Sequence, residues 1–298
     1  MKIVSTSYYK LIILAFSWIY IMEFTMSTHI RVNEDVCGSA DSNRIVGGVR
    51  ASLGQYPWLA RLGYNRTYKI TFECAGALIT KRHVLTASHC VDVAPVSVVQ
   101  VILGEHDARS ETDCEMDMCA DPVQIFEPIL ITYPIEYNNP EYKHDIALIK
   151  LNREVKYTRW VHPICLPLPN DTNIFGGINN ITEVAGWGLM NSHDPEGAKV
   201  LQTVKLKIVS MDECREAFES LELGPEQMCA GGIPGKDSCS GDSGGPMQKG
   251  LAFRNKGPRY FAIGIVSLGM KMCGGEFATA ALYTNVSFYI PWILNNLD

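Results

Sequence analysis

The sequence predicts an all-β protein whose strands run antiparallel, as in a sandwich or a barrel. Short apolar runs rich in β-branched residues recur along the chain, separated by Gly, Pro and Asn. These runs cover residues 77–79, 98–103, 146–151, 200–209, 260–268 and 281–286. Helical periodicity is rare, which argues against alternating strands and helices. The exception is residues 289–297, which have the pattern of a short amphipathic helix with Pro291 in its first turn, where proline is tolerated.

Length and composition limit the class of protein. The chain has 298 residues, enough for one large domain or two small ones sharing a core. Hydrophobic residues make up 47% and charged residues 19%, so the chain is neither disordered nor fibrous. The formal net charge is −6 and no cluster of Lys or Arg interrupts it, which excludes a nucleic-acid partner held through phosphates.

The cysteines and the N-terminus indicate an oxidising, extracellular compartment. Ten cysteines predict a disulfide framework. Lys2 and Lys10 precede an apolar run over residues 11–22, which suits a secretory signal and is short for a bilayer span. We expect a signal peptide over residues 1–27; the alternative is an uncleaved anchor. Four N-x-[ST] sequons predict a secreted glycoprotein, at Asn65, Asn170, Asn180 and Asn285.

Three short segments carry residues suited to nucleophilic catalysis. They are Thr86-Ala-Ser-His-Cys90, His144-Asp-Ile-Ala-Leu148 and Gly241-Asp-Ser-Gly-Gly-Pro246. A serine hydroxyl needs a base to remove its proton, and histidine is suited to that exchange near neutral pH. The histidine needs a carboxylate to orient it, and a glycine-rich turn lets backbone N–H groups meet a developing oxyanion. The structural alternatives are a plain tight turn at the glycines and an ordinary surface histidine.

Together these segments resemble the three signatures of the chymotrypsin-family (trypsin-like) serine peptidases, in that family's order of His, Asp and Ser. The resemblance covers residues 45–298 and implies two antiparallel six-stranded β-barrels, over about 45–160 and 161–298, with a short C-terminal helix. It implies that Ser243 is the nucleophile, His89 the general base and then acid, and Asp145 the orienting carboxylate. The N–H groups of Gly241 and Ser243 would form the oxyanion hole.

The resemblance also implies activation by proteolysis. Arg44-Ile-Val-Gly-Gly48 is similar to the family's activation site, which makes residues 28–44 a propeptide. A cut after Arg44 would free the ammonium of Ile45 to pair with the Asp242 carboxylate. Because a buried carboxylate without a cation is costly, this pair would switch the site from disordered to ordered.

By the same resemblance, Asp237 lies at the floor of the primary specificity pocket and selects Arg or Lys. Ser267 and Gly269 match the strand that pairs with the substrate backbone, although Leu268 replaces the usual aromatic residue. Ala281 stands on the pocket wall where the family commonly has Gly. Its methyl group narrows the pocket, so we expect weakened or skewed cleavage after Arg and Lys rather than a new specificity.

The number of cysteines leaves their pairing open, and the resemblance supplies one assignment. It uses all ten cysteines and leaves no free thiol. The implied disulfides are Cys37–Cys165, Cys74–Cys90, Cys114–Cys119, Cys214–Cys229 and Cys239–Cys273.

An acidic loop over residues 105–121 has two interpretations. Calcium is a candidate ligand because carboxylates are dense there, and some relatives of the family bind calcium in this region. We prefer a solvated acidic hairpin closed by Cys114–Cys119, since no EF-hand spacing occurs. Such a loop resembles the protease domains of arthropod cascade and venom enzymes. Only Cys37 precedes Arg44, so we expect no clip module. The seven acidic residues are Glu105, Asp107, Glu111, Asp113, Glu115, Asp117 and Asp121.

The sequence thus predicts a secreted, monomeric zymogen of a serine endopeptidase that cleaves after Arg or Lys. The first alternative is a non-catalytic protease homologue with a regulatory or binding role, and the second is a membrane-anchored form of the same enzyme. Expected partners are protein or peptide substrates, an upstream activating protease, and inhibitors of the serpin or Kunitz type. No resident metal or organic cofactor is expected, and no nucleic acid.

Overall fold

The fold consists mainly of two antiparallel β-sheets, which are formed by consecutive parts of the chain. The computed structural model describes residues 32–40, 50–66, 69–92, 96–137, 143–169, 181–189, 197–231, 241–253, 257–268 and 280–297. All of them belong to one unit, Val32–Asp298. The predicted signal peptide and the activation site at Arg44 and Ile45 lie outside the described residues. Among the helices that the structure describes, none has the length and apolar character needed to span a membrane.

Fifteen strands and two α-helices make up the described regular structure. In chain order the strands are β1 (Leu59–Arg66), β2 (Lys69–Leu78), β3 (His83–Thr86), β4 (Val98–Leu103), β5 (Cys114–Glu115), β6 (Met118–Cys119), β7 (Gln124–Phe126), β8 (Pro128–Thr132), β9 (Ala147–Leu151), β10 (Ile181–Gly186), β11 (Gln202–Ile208), β12 (Gln227–Gly231), β13 (Pro246–Ala252), β14 (Pro258–Leu268) and β15 (Ala280–Asn285). The helices are α1 (Met211–Ala217) and α2 (Ile290–Asn295).

The first sheet is closed into a barrel by one bent strand. Its strand order is β7-β4-β1-β2-β3-β9-β8. Because only Glu127 separates β7 from β8, the two ends of this sheet are parts of one strand that bends from β4 to β9. Counted in this way, the sheet has six strands. Its strands are largely buried, as in β3, where Val84 and Leu85 and the polar His83 and Thr86 are all buried.

The second sheet closes completely, in the order β10-β11-β12-β15-β14-β13. Alternate side chains of its strands point inward and pack with the Cys37–Cys165 disulfide. The largest members of this core are Met228, Met247, Phe253, Phe261 and Tyr283. The sheets confirm the all-β, two-barrel prediction.

A short N-terminal segment, residues 32–40, is docked on the second barrel and held covalently. Cys37 forms a disulfide with Cys165, and both residues are fully buried. The Asn33 amide donates to the Leu166 carbonyl at 2.7 Å and accepts from the Leu166 N–H at 2.6 Å. The disulfide would therefore keep this part of the predicted propeptide on the catalytic unit after a cut at Arg44.

The two helices differ in how well the sequence predicted them. Helix α2 lies where the C-terminal pattern predicted a helix. Helix α1 was not predicted, although a capping signal is present. The Ser210 side chain accepts from the Glu213 N–H, and the Glu213 carboxylate accepts from the Ser210 N–H. This reciprocal pair starts a helix in a segment with no long apolar period.

Candidate active site

His89 and Asp145 form a hydrogen-bonded pair where the segment after β3 meets the segment before β9. The Nδ1–H of His89 donates to Oδ2 of Asp145 at 2.8 Å, and the His89 backbone N–H donates to Oδ1 at 2.9 Å. The Asp145 side chain is fully buried, whereas 22% of the His89 side chain is exposed. The carboxylate therefore fixes the ring while the imidazole stays open to a reactant.

The local sequence around His89 explains its position. A single turn of 3₁₀ helix, Ser88–Cys90, follows β3 and carries the histidine out of the sheet. The Cys74–Cys90 disulfide ties this turn to β2. Because both neighbours of His89 are buried, the turn has little freedom to reorient the ring.

The Asp145 carboxylate is ionised despite its burial. Burial alone would raise its pKa, but the charge interaction with His89 and hydrogen bonds from His89 and Ser267 lower the pKa below its ordinary value. An ionised carboxylate can stabilise a protonated imidazole beside it.

Ser267 is a third member of this group, in a role that the sequence analysis missed. Its hydroxyl donates to Oδ2 of Asp145 at 2.5 Å. The pairing of β14 with β15 passes from Val266–Tyr283 to Leu268–Leu282, so Ser267 is the extra residue of a β-bulge. Bulges turn a side chain away from the regular alternation and are frequent beside active sites. The predicted substrate strand thus also supplies a hydrogen-bond donor to the Asp145 carboxylate.

The Ser243 turn lies against the segment that carries His89. The Ser243 carbonyl accepts from the Ala75 N–H in β2 at 2.8 Å. A Cβ on Gly244 would collide with Thr86 and lie 3.0 Å from Sγ of Cys90. The same Sγ is 3.6 Å from Nε2 of His89. The sulfur of Cys90 therefore neighbours both the free side of the imidazole and the turn of the predicted nucleophile.

The same turn carries the two backbone N–H groups that the resemblance assigns to an oxyanion hole. Gly241 and Gly244 have φ values of +101° and +76°, which side-chain-bearing residues rarely adopt. Within the described part of the chain, the N–H groups of Gly241 and Ser243 donate to no protein acceptor. These two N–H groups are therefore suited to donate hydrogen bonds to an oxyanion.

The Asp242 carboxylate points toward the segment after β10. The Gly188 N–H donates to its Oδ1 at 2.9 Å. A Cβ on Gly186 or on Gly188 would collide with this carboxylate, so both glycines make room for it. Its predicted partner Ile45 lies outside the described residues.

Most of the predicted specificity pocket falls on residues that the structure does not describe. Asp237 and Gly269 lie outside the described residues, as does the Cys239–Cys273 disulfide. Ala281 is fully buried in the core of the second barrel and pairs with Ala230 across the sheet. The narrowing of the pocket by its methyl group remains a prediction.

The other four predicted disulfides are present: Cys37–Cys165, Cys74–Cys90, Cys114–Cys119 and Cys214–Cys229. One group of potential metal ligands occurs among the described residues, formed by Cys74, His89 and Cys90. Its two sulfurs are joined in a disulfide, so they offer no thiolate to a metal.

Four of the seven carboxylates in the acidic loop over residues 105–121 accept from donors of the protein, namely Glu105, Asp107, Asp113 and Glu115. Asp107 forms an ion pair with Arg109 at 2.6 Å, and Glu115 accepts from the Leu53 N–H at 2.7 Å. These carboxylates do not converge on a common centre. The loop contains a two-stranded antiparallel hairpin, β5 with β6, joined by the Cys114–Cys119 disulfide, and calcium binding stays a prediction.

With this geometry in hand, the class of the protein follows from comparison with known families. The family model described as Trypsin matches residues 45–293. The chain belongs to the trypsin family of serine proteases.

The relatives that it matches include insect serine proteases. The chain is 35% identical to CLIP domain-containing serine protease HP8 of Bombyx mori, over 91% of this chain and 74% of that protein. It is 39% identical to Serine protease ea of Drosophila melanogaster, over 88% and 69%. Among solved structures, the Drosophila Grass clip serine protease of the Toll pathway matches with a TM-score of 0.79 and 32% identity, over 91% of this chain and 77% of that chain.

Proposed function

We propose that the protein is a secreted zymogen of a serine endopeptidase that cleaves after Arg or Lys. One observation carries the proposal. His89 is held to a buried, ionised Asp145 by one hydrogen bond from its imidazole and one from its backbone N–H, and Nε2 of the ring lies 3.6 Å from Sγ of Cys90, which neighbours the Ser243 turn. Acyl transfer by an activated serine needs this arrangement.

The proposed mechanism follows from the tautomer of His89. Because Nδ1–H donates to Asp145, Nε2 is the nitrogen free to accept the proton of the Ser243 hydroxyl. The hydroxyl oxygen attacks the substrate carbonyl, Asp145 stabilises the imidazolium, and the N–H groups of Gly241 and Ser243 stabilise the oxyanion. His89 then gives its proton to the leaving amine. Water repeats the sequence to release the acyl group from Ser243.

The preference for Arg or Lys rests on Asp237, because a buried carboxylate left without a cation would disfavour an apolar side chain. Ala281 in place of Gly would weaken this cleavage, since one methylene in a pocket changes binding by roughly 1–3 kcal/mol. The variant Ala281→Gly should therefore raise kcat/KM on Arg and Lys substrates. Unchanged kinetics would reject the role given to this methyl group.

Activation would start with a cut after Arg44, which frees the Ile45 ammonium for Asp242. The upstream protease that makes this cut, and inhibitors of the serpin or Kunitz type, are the proposed partners besides the substrate. Two relatives bear names that point to other proteins, the Spaetzle-processing enzyme of Drosophila melanogaster and Phenoloxidase-activating factor 3 of Holotrichia diomphalia. We propose a protein substrate here too, acted on by a monomer.

Secretion can be followed through the glycans. Asn65 is exposed at the end of β1, whereas the Asn285 amide donates to the Pro225 carbonyl at 3.0 Å. In secreted protein, Asn65→Gln should remove one glycan and Asn285→Gln none, as judged by mobility before and after glycosidase. A glycan on Asn285 would require its amide to break the hydrogen bond with the Pro225 carbonyl.

The decisive experiment uses purified protein cut after Arg44, with N-terminal sequencing to verify Ile45. Hydrolysis is compared on peptides with Arg, Lys, Phe or Ala before the scissile bond, with the uncut protein and Ser243→Ala as controls. Selective turnover of Arg and Lys peptides only after cutting supports the proposal. Absence of turnover in cut, folded protein would favour a non-catalytic homologue.

A further inference from the structure

The residue before Asp145 has an unfavourable backbone conformation. His144 has a φ of +57°, in the left-handed region that residues with side chains avoid. The residues that follow form a tight turn. The Ile146 N–H donates to the His144 carbonyl at 2.9 Å, so Asp145 is the central residue of a three-residue turn. Such conformations persist where the surroundings hold them in place.

The C-terminal part of the chain supplies one of these restraints. The Tyr289 hydroxyl lies 2.9 Å from Nδ1 of His144, and the two rings meet edge to face with centroids 6.1 Å apart. Tyr289 is buried and is the residue from which α2 begins. Burial, with the nearby carboxylates of Glu226, Asp145 and Glu136, raises the pKa of Tyr289, so its hydroxyl stays protonated.

Two further hydroxyls hold the two residues that follow His144. Thr284, in β15, donates to the Asp145 carbonyl at 2.7 Å. Ser88, next to His89, donates to the Ile146 carbonyl at 2.7 Å and accepts from the Ile146 N–H at 3.2 Å. Three consecutive residues are thus held from three separate elements. Of these restraints, the Tyr289 contact is the one made to the side chain of the strained residue itself.

We propose that His144 and Tyr289 are a positioning pair for Asp145, an inference that rests on the proposed peptidase function. If His144 relaxed to an ordinary φ, the peptide plane of Asp145 would rotate, and the carboxylate would lose one of its two bonds from His89. Tyr289 opposes this relaxation by holding the His144 ring. The turn that leads into the C-terminal helix is therefore part of the apparatus that aligns the base.

The test compares four variants of the protein cut after Arg44, with rates normalised to active sites counted by a covalent serine-reactive inhibitor. Tyr289→Phe removes one hydroxyl and should lower kcat about threefold to tenfold with KM unchanged, the effect of one hydrogen bond. His144→Ala should lower kcat at least as much. His144→Asn keeps a residue that tolerates the left-handed region and offers polar atoms to the tyrosine, so it should restore most of the activity. Tyr133→Phe, a tyrosine that is 40% exposed, is the matched control.

The double variant His144→Ala with Tyr289→Phe should be no slower than His144→Ala alone, because the second change removes a bond already lost. Wild-type kcat in Tyr289→Phe, additive losses, or a KM that moves in step with kcat would overturn the positioning inference. If His144→Ala does not fold, Tyr289→Phe and His144→Asn decide the question. A wild-type protein that neither turns over nor reacts with the inhibitor would overturn the proposed function itself, and the positioning inference with it.

Discussion

Asp145 and Asp113 each accept a hydrogen bond from a histidine backbone, but the two contacts have different roles. Each carboxylate accepts from the backbone N–H of a histidine at 2.9 Å, His89 in one case and His106 in the other. Each also accepts from a serine hydroxyl. Only His89 turns its ring back to the carboxylate.

The ring of His106 is buried, and neither of its nitrogens has a hydrogen-bond partner within the described residues. The hydrogen bonds of His106 are made by its backbone instead. Its carbonyl accepts from the Trp187 indole N–H at 3.2 Å and from the Leu201 N–H at 2.8 Å. These two bonds tie the acidic loop to the second barrel, and Asp113 holds the His106 backbone within the loop. An aspartate and a histidine in contact are therefore not by themselves a catalytic pair; the orientation of the imidazole and its access to a reactant decide.

The largest expected effect is a loss of kcat, at the pair formed by His89 and Asp145. Asp145→Asn keeps the shape of the side chain but removes its charge and can invert the tautomer of His89. We expect kcat to fall about 10⁴-fold, the order described for the same change in a triad of this family. Turnover of an Arg peptide by the cut protein measures it, with Ser243→Ala as the floor. A loss under tenfold would mean that Asp145 does not orient the base.

The serine hydroxyls provide a matched comparison. Ser267→Ala removes the bond to Asp145, and we expect kcat to fall about tenfold, because hydrogen bonds to charged groups are stronger than neutral ones. Ser110→Ala removes the equivalent 2.6 Å bond to Asp113 and should leave kcat unchanged. Equal effects of the two substitutions on kcat would erase the distinction between the pairs.

The second pair should matter for stability. Asp113→Asn leaves kcat within about twofold but should lower the free energy of unfolding by about 1–3 kcal/mol, because the buried His106 N–H and the Ser110 hydroxyl lose a charged acceptor. Urea unfolding of the variant in a Ser243→Ala background measures this without self-cleavage. A large loss of kcat with unchanged stability would assign the loop a catalytic role instead.

The smallest expected effect concerns pH. Burial lowers the pKa of His106 below its ordinary 6.5; Arg50 adds to this, while Asp113, Glu115 and Asp107 oppose it. The unfolded chain takes up a proton at this histidine below about pH 6.5 while the folded chain resists it, so stability falls as pH falls through that value. His106→Leu should flatten this part of the stability curve, as measured by unfolding between about pH 5 and pH 7.5. An unchanged slope would show that His106 charges freely in the folded state.

Sequence patterns alone determined much of this molecule. The recurring β-branched runs predicted an antiparallel all-β fold, the family resemblance implied its two barrels, and the C-terminal pattern predicted α2. The three motif segments identified His89, Asp145 and Ser243 as candidates, because the chemistry requires those residue types. These features are local or depend on composition, so they can be predicted before the chain is folded.

The tertiary structure decided which donors share the Asp145 carboxylate. Ser267 is 122 residues away along the chain and reaches Asp145 because a bulge in β14 turns its side chain. The strained turn at His144 and its contact with Tyr289, 145 residues distant, likewise depend on how the strands pair and where α2 docks. Hydrogen bonds between such remote residues leave no periodic signal in the sequence. They exist because closing the barrels buries a charged carboxylate that must then be satisfied by whatever donors the fold brings to it.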